Sequence, residues 1–170
     1  MEWLFAYGDL MGEVDLRQHG ARPARLPGYR RSFNHASTRL WGSVQDPCPI
    51  LGLSPGGECW GVAFEAGFFA RRGLMRRLQP ESPDEFLRIR VPIELKEGGR
   101  ADAVTFASRG QGQARWNGDA SLDHALLAAH GLAGRGVEYV RTIAHALKFW
   151  GIADPLIEST WAKLDHWRPT

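Results

Sequence analysis

The apolar positions of this chain fall into short extended runs in its first two thirds and into helical stripes near its end. Trp3 to Ala6 is an unbroken apolar run that continues through Tyr7 to Gly8 and the acidic Asp9. Such a run suits a strand covered on both faces, and a glycine at its end frees the backbone to turn closely past a ligand. Met11 to Gly20 is polar without a clear period, which predicts an irregular or single-turn segment. Ala21 to Phe33 carries Pro23, Pro27 and Gly28, so its strand must bend or lie at an edge, as the corners of a small barrel require. Thr38 to Val44 predicts a short strand that Asp46-Pro47-Cys48-Pro49 ends. Leu51-Gly52-Leu53 and Cys59 to Phe64 flank the turn-forming Ser54-Pro55-Gly56-Gly57-Glu58, which reads as a β-hairpin.

From Phe68 to Leu78 the apolar Phe68, Phe69, Met75 and Leu78 recur at helical spacing with the arginines opposite, and Pro80 forces an end. Phe86 to Leu95 sets Phe86, Arg88 and Arg90 against Leu87, Ile89 and Val91, a strand with one basic and one apolar face. Glu97-Gly98-Gly99-Arg100 turns it into Ala103 to Ala107. Ser108 to Asp119 is a glycine-rich loop with Trp116 as its anchor. Three helices follow: one capped by Ser121 with Leu122, Leu126 and Ala129 inward, one over Val137 to Trp150 stopped by Gly151, and one opened by Asp154-Pro155 with Ile157, Trp161 and Leu164 in its stripe. Strands first and helices afterwards, without βαβ alternation, predict an α+β fold: a small mixed, largely closed β-barrel with flanking helices, residues 1–170 forming one domain.

Composition narrows the classes of function. With 44% hydrophobic and 24% charged residues the 170-residue chain reads as a folded soluble protein able to bury a core without disulfides. No apolar run is long enough for a membrane span, and Met1-Glu2-Trp3 enters the first strand directly, so the expected location is the cytoplasm with no membrane partner. A net charge of +2 is too mild to argue for nucleic acid. Arg71, Arg72, Arg76 and Arg77 do concentrate charge, either as a solvated helix face or as a dock for an anionic substrate or acidic partner. Cys48 and Cys59 are too few for a four-ligand zinc site and read as reduced thiols. His35, His124, His130 and His145 show no metal-ligand spacing.

Tyr7-Gly8-Asp9-Leu10 resembles the Tyr-Gly-Ser-Leu signature that opens γ-glutamylcyclotransferases. Ala24 to Phe33, Leu51-Gly52-Leu53, Gly56 to Phe64, Glu138-Tyr139-Val140 and Gly151 to Pro155 resemble successive blocks of the ChaC-like branch of that family, in the same order. The resemblance implies an enzyme that turns the α-amine of a γ-glutamyl amide or peptide, such as glutathione, onto its own γ-carbonyl, forming 5-oxoproline and a free amine. It also implies that no metal or organic cofactor is needed. The alternatives on the same scaffold are an amide hydrolase and a catalytically silent protein that binds a γ-glutamyl metabolite.

By the same resemblance Tyr7, Gly8, Asp9, Leu10 and Tyr139 bind substrate, the loop supplying backbone donors. Asp9 replaces the family's serine and brings a negative charge that repels a carboxylate, pairs with an ammonium or serves as a base once desolvated. The family's glutamate base aligns with Ser82, with Glu81 one residue before it and Glu85 three after. Glu81 and Asp9 are therefore the candidate catalytic residues. A one-residue offset in an extended segment reverses the side chain's direction, which sets Glu81 against the register unless Pro80 and Pro83 redirect the backbone.

Overall fold

The computed structural model describes residues 2–13, 16, 19–109, 116 and 119–166. Five strands, β1 (Glu2–Ala6), β2 (Arg22–Ser37), β3 (Cys48–Ala66), β4 (Phe86–Leu95) and β5 (Arg100–Ser108), close a barrel in the order β1-β3-β2-β4-β5. β5 meets β1 in parallel, with Trp3 opposite Ala103 and Leu4 opposite Val104, whereas the other pairs are antiparallel. This is the mixed, closed sheet that the α+β reading predicts. Four helices flank it: α1 (Phe68–Leu78), α2 (Asp119–Ala128), α3 (Gly136–Phe149) and α4 (Pro155–Asp165).

The continuous apolar run of β1 is explained by burial on both sides, since Leu4, Phe5 and Ala6 are all inaccessible to solvent. Close approach demands a glycine on the neighbouring strand. A Cβ at Gly61 would stand 2.4 Å from the Ala6 carbonyl oxygen and 2.7 Å from the Phe5 ring. The third helical stripe is also as read: Asp154 caps α4 by accepting the Ile157 N–H at 3.0 Å, Pro155 occupies the first turn, and Ile157 and Leu164 are buried. Gly151 ends α3 with φ of +69°, the left-handed value that glycine adopts without a Cβ clash.

Several expectations are corrected. The predicted hairpin at Ser54–Glu58 does not exist, because β3 runs unbroken from Cys48 to Ala66 and pairs along β2. Gly28, Gly56 and Gly57, all at positive φ, face one another across a bend shared by both long strands. Turn chemistry here bends a ribbon instead of reversing it. Thr38 to Val44 is not a strand either. Its carbonyls are taken from outside the sheet: Leu132 N–H donates to Arg39 O at 2.9 Å and Ala133 N–H to Leu40 O at 2.7 Å. Ser121 lies inside α2, which begins at Asp119, so it does not cap that helix. Among the described side chains of α1 the buried residue is Leu74, while Phe69 is 96% exposed and the side chain of Phe68 lies outside the described residues. Trp116 packs half-buried against the core, and residues 110–115, 117 and 118 of its loop lie outside the described residues.

Candidate active site

β1 passes through Tyr7 and Gly8 into a 3₁₀ turn, Asp9–Gly12, whose position is fixed from four sides. The Tyr7 hydroxyl donates to Phe106 O at 2.8 Å, Arg31 Nε donates to Tyr7 O at 2.9 Å, and the Trp150 indole donates to Met11 O at 3.0 Å. α3 packs on the fourth side, so closely that a Cβ at Gly12 would come within 3.1 Å of the Thr142 methyl. Gly8 itself has φ of −117°, outside the left-handed region in which glycine is favoured. A Cβ there would stand 3.9 Å from the Tyr139 hydroxyl oxygen. What glycine contributes is open space in front of Tyr139.

The loop faces a cavity of about 120 Å³ that brings together Tyr7, Gly8, Asp9, Leu10, Glu81 and Tyr139, with Trp41, Arg77, Gln79 and Phe86 also on its wall. Residues 79–82 form no strand, which is why strand alternation does not govern the direction of Glu81. Glu81 Oε2 accepts the Ser37 hydroxyl and, at 3.4 Å, the Leu40 N–H. Ser37 in turn accepts the Trp41 N–H at 2.9 Å. Glu85, the other nearby glutamate, is held 3.0 Å from His35 Nδ1 and does not line the cavity.

The electrostatics of the three polar groups differ. Asp9 keeps an exposed edge at the cavity rim, but protein atoms crowd its carboxylate, and this desolvation raises its pKa above the ordinary carboxylate value. The nearby N–H of its own residue, the Trp41 indole and the Leu10 N–H pull the other way without cancelling it. Asp9 therefore places a carboxylate near the amides that the loop was expected to offer a ligand. Tyr139, buried, accepts the Leu51 N–H at 3.0 Å, and none of the described residues accepts its own proton. Burial, reinforced by the charge of Asp9, lifts its pKa well above the usual phenol value, so it remains a donor at neutral pH. Cys48, buried beside Glu81, is pushed up to about 12 and stays a thiol.

Two site residues were given no role from the sequence. Ser37, which the family resemblance puts at a polar strand end near the cavity, holds Glu81 in place. Arg31 is buried: its guanidinium reaches Tyr7 O, Trp60 O and the Asp154 carboxylate, tying the loop to the cap of α4. Its shared period-two phase with buried Phe33 was the available signal.

The sequence profile described as ChaC-like protein matches residues 2–163. The chain belongs to the ChaC-like protein family. One curated relative, the glutathione-specific γ-glutamylcyclotransferase 1 of Danio rerio, is 27% identical over 113 residues, covering 65% of this chain and 52% of the relative. The chain thus spans about half the length of that relative. Among solved structures, a yeast γ-glutamyl cyclotransferase specific to glutathione superposes with a TM-score of 0.82 at 14% identity, covering 98% of this chain and 96% of the other. A further γ-glutamyl cyclotransferase gives 0.59 at 21% identity over 99% and 89%. At these identities the structural likeness shows the fold of this ChaC-like chain. Among the described residues no helix is long and apolar enough to cross a membrane.

Proposed function

We propose that this ChaC-like protein is a γ-glutamylcyclotransferase acting on a γ-glutamyl amide or peptide. The observation that carries the reading is Glu81, a carboxylate steadied by Ser37 and the Leu40 N–H in the same small cavity as the Tyr7–Leu10 loop. The reaction needs a base, a donor for the carbonyl oxygen and a folded substrate. Glu81 takes a proton from the substrate's α-ammonium. The freed nitrogen attacks the γ-carbonyl carbon, closing the five-membered ring. Tyr139, with its unclaimed proton, donates to the oxygen as negative charge gathers there. Glu81 then passes its proton to the amide nitrogen as the carbon–nitrogen bond breaks and relays the second proton of the ring nitrogen to the departing amine, leaving 5-oxoproline and the free amine as its ammonium.

Asp9 has a different task on this reading. Its carboxylate lies near the loop's amides, so the loop presents negative charge to the cavity and draws the substrate's ammonium toward Glu81. Glutathione and other γ-glutamyl amides should be offered to the wild-type protein and to Glu81→Gln, and both 5-oxoproline and glutamate measured. 5-Oxoproline from the wild type, reduced about 10²- to 10⁴-fold in Glu81→Gln, is the expected result for loss of a general base. Glutamate as the main product would instead indicate an amide hydrolase. Binding without turnover would indicate a silent γ-glutamyl-binding protein.

A further inference from the structure

We propose that a second, arginine-lined groove next to the cavity holds the amine portion of the substrate and selects amines bearing two or more carboxylates. This rests on the γ-glutamylcyclotransferase reading above. The groove measures about 860 Å³ and lies between α1 and the β4–β5 hairpin. From α1 come Arg71, Arg72 and Arg76, and from the hairpin Arg88 and Arg109. No aspartate or glutamate is among its described lining residues.

The groove is not an ordinary solvated helix face. Cations from separate elements converge across a concavity, a repulsive arrangement that an anionic occupant relieves. Little within the protein offsets it. Arg71 is paired with Glu2 at 3.1 Å, and Arg109 Nε donates to the Phe86 carbonyl at 3.1 Å, which leaves its charge intact. Arg72, Arg76 and Arg88 make no ion pair or hydrogen bond among the described residues. Guanidinium groups bind carboxylates through paired N–H donors, so several of them recognise a polycarboxylate better than a single acid.

Continuity with the reacting centre identifies which part of the substrate lies there. Gln79 and Phe86 line both the groove and the cavity. At 120 Å³ the cavity is well below the roughly 300–1,000 Å³ of sites that enclose a whole small ligand. Only the γ-glutamyl end fits inside, and the amine portion must leave past Gln79 into the groove. An acidic dipeptide as leaving amine places its carboxylates among Arg72, Arg76 and Arg88.

The test compares γ-glutamyl-Glu-Glu with γ-glutamyl-Ala-Ala in the wild type, in Arg72→Glu/Arg76→Glu and in Arg72→Lys/Arg76→Lys. Wild-type kcat/KM should favour the acidic peptide about tenfold, mainly through KM, and the preference should shrink as salt is raised. It should disappear in the double glutamate variant and be partly restored with lysine. Arg100→Glu/Lys148→Glu, with the same charge change away from the groove, should retain it. Equal use of both peptides by the wild type, or a preference that the groove variants leave unchanged, overturns the proposal. Calorimetry with the free dipeptide Glu-Glu separates the two readings without turnover. If no γ-glutamyl peptide is turned over yet Glu-Glu binds the wild type and not Arg72→Glu/Arg76→Glu, the enzymatic reading fails and the acidic ligand class stands. If Glu-Glu does not bind the wild type at low salt, the groove assignment fails.

Discussion

Replacing Arg31 by methionine tests the joint that holds the site loop against the barrel. The Arg31 side chain is 2% exposed and its partner Asp154 14%, so neither charge has much water to fall back on. Methionine keeps the apolar stem and removes every donor. Asp154 is then left with the Ile157 N–H, and Tyr7 O and Trp60 O lose donors at 2.9 and 2.8 Å. Breaking a buried ion pair by removing one partner costs about 3–5 kcal/mol. Against a total stability of about 5–15 kcal/mol, that is enough to bring the protein near its unfolding threshold at 37 °C. The assay is urea unfolding followed by tryptophan fluorescence, with hydrogen exchange at the Leu10 and Met11 amides as the local readout. Asp154→Asn keeps a good N-cap and removes the charge, and the Arg31→Met/Asp154→Asn double variant should lose less than the sum of the single losses by about 1–3 kcal/mol. A loss below about 1 kcal/mol in Arg31→Met, or strict additivity in the double variant, would refute the claim that the pair anchors the loop.

Asp9→Asn should make the protein more stable at neutral pH. A raised folded-state pKa means that the native protein holds the Asp9 proton more tightly than the unfolded chain, so stability falls as pH rises from the ordinary carboxylate range through the raised pKa. The variant's advantage, read as a difference in Tm, should be small at acid pH and grow toward neutrality; the opposite trend would contradict the desolvation of that carboxylate. Gly8→Ala should fold and retain most activity, since its Cβ makes only ordinary contact with Tyr139, whereas Gly8→Val should fold but raise KM strongly by filling the space in front of that hydroxyl. Substrate affinity unchanged in a folded Gly8→Val protein would place the ligand elsewhere.

The parts of the fold legible in the sequence are those set by local rules. α1 ends before Pro80, α3 stops at Gly151 and α4 starts at Asp154-Pro155 because caps and breakers act within a few residues. Errors arose where distant partners decide. Gly56-Gly57 reads as a hairpin turn until one knows that Gly28 bends the opposite strand at the same level. Thr38–Val44 has strand composition, yet its carbonyls are captured by the link between α2 and α3. Phe69 fits a helical stripe but falls outside the packed face, among arginines. The direction of Glu81 was illegible for a related reason, since a segment without strand or helix has no period from which to read it.

The cavity and groove together give the site a polarity that neither shows alone. A loop whose amides were free would attract a substrate carboxylate, but here the Asp9 carboxylate lies near them, and Arg77, a cation on the same cavity wall, is paired with Glu13 at 2.6 Å. The inner end therefore favours a cation. At the outer end, Arg72, Arg76 and Arg88 favour anions. On the proposed reading, a γ-glutamyl peptide with an acidic amine portion carries an ammonium next to one carboxylate at its γ-glutamyl end and two or more carboxylates at the other, so its more anionic end belongs among the arginines. That orientation sets the ammonium beside Glu81 and the scissile amide near Tyr139. Turning the substrate round would place its ammonium among arginines and the carboxylates of its amine portion against Asp9, unfavourable at both ends. On this argument the departure from serine at position 9 and the arginine groove are coupled: Asp9→Ser should weaken discrimination at the inner end while leaving the preference for acidic amines in place.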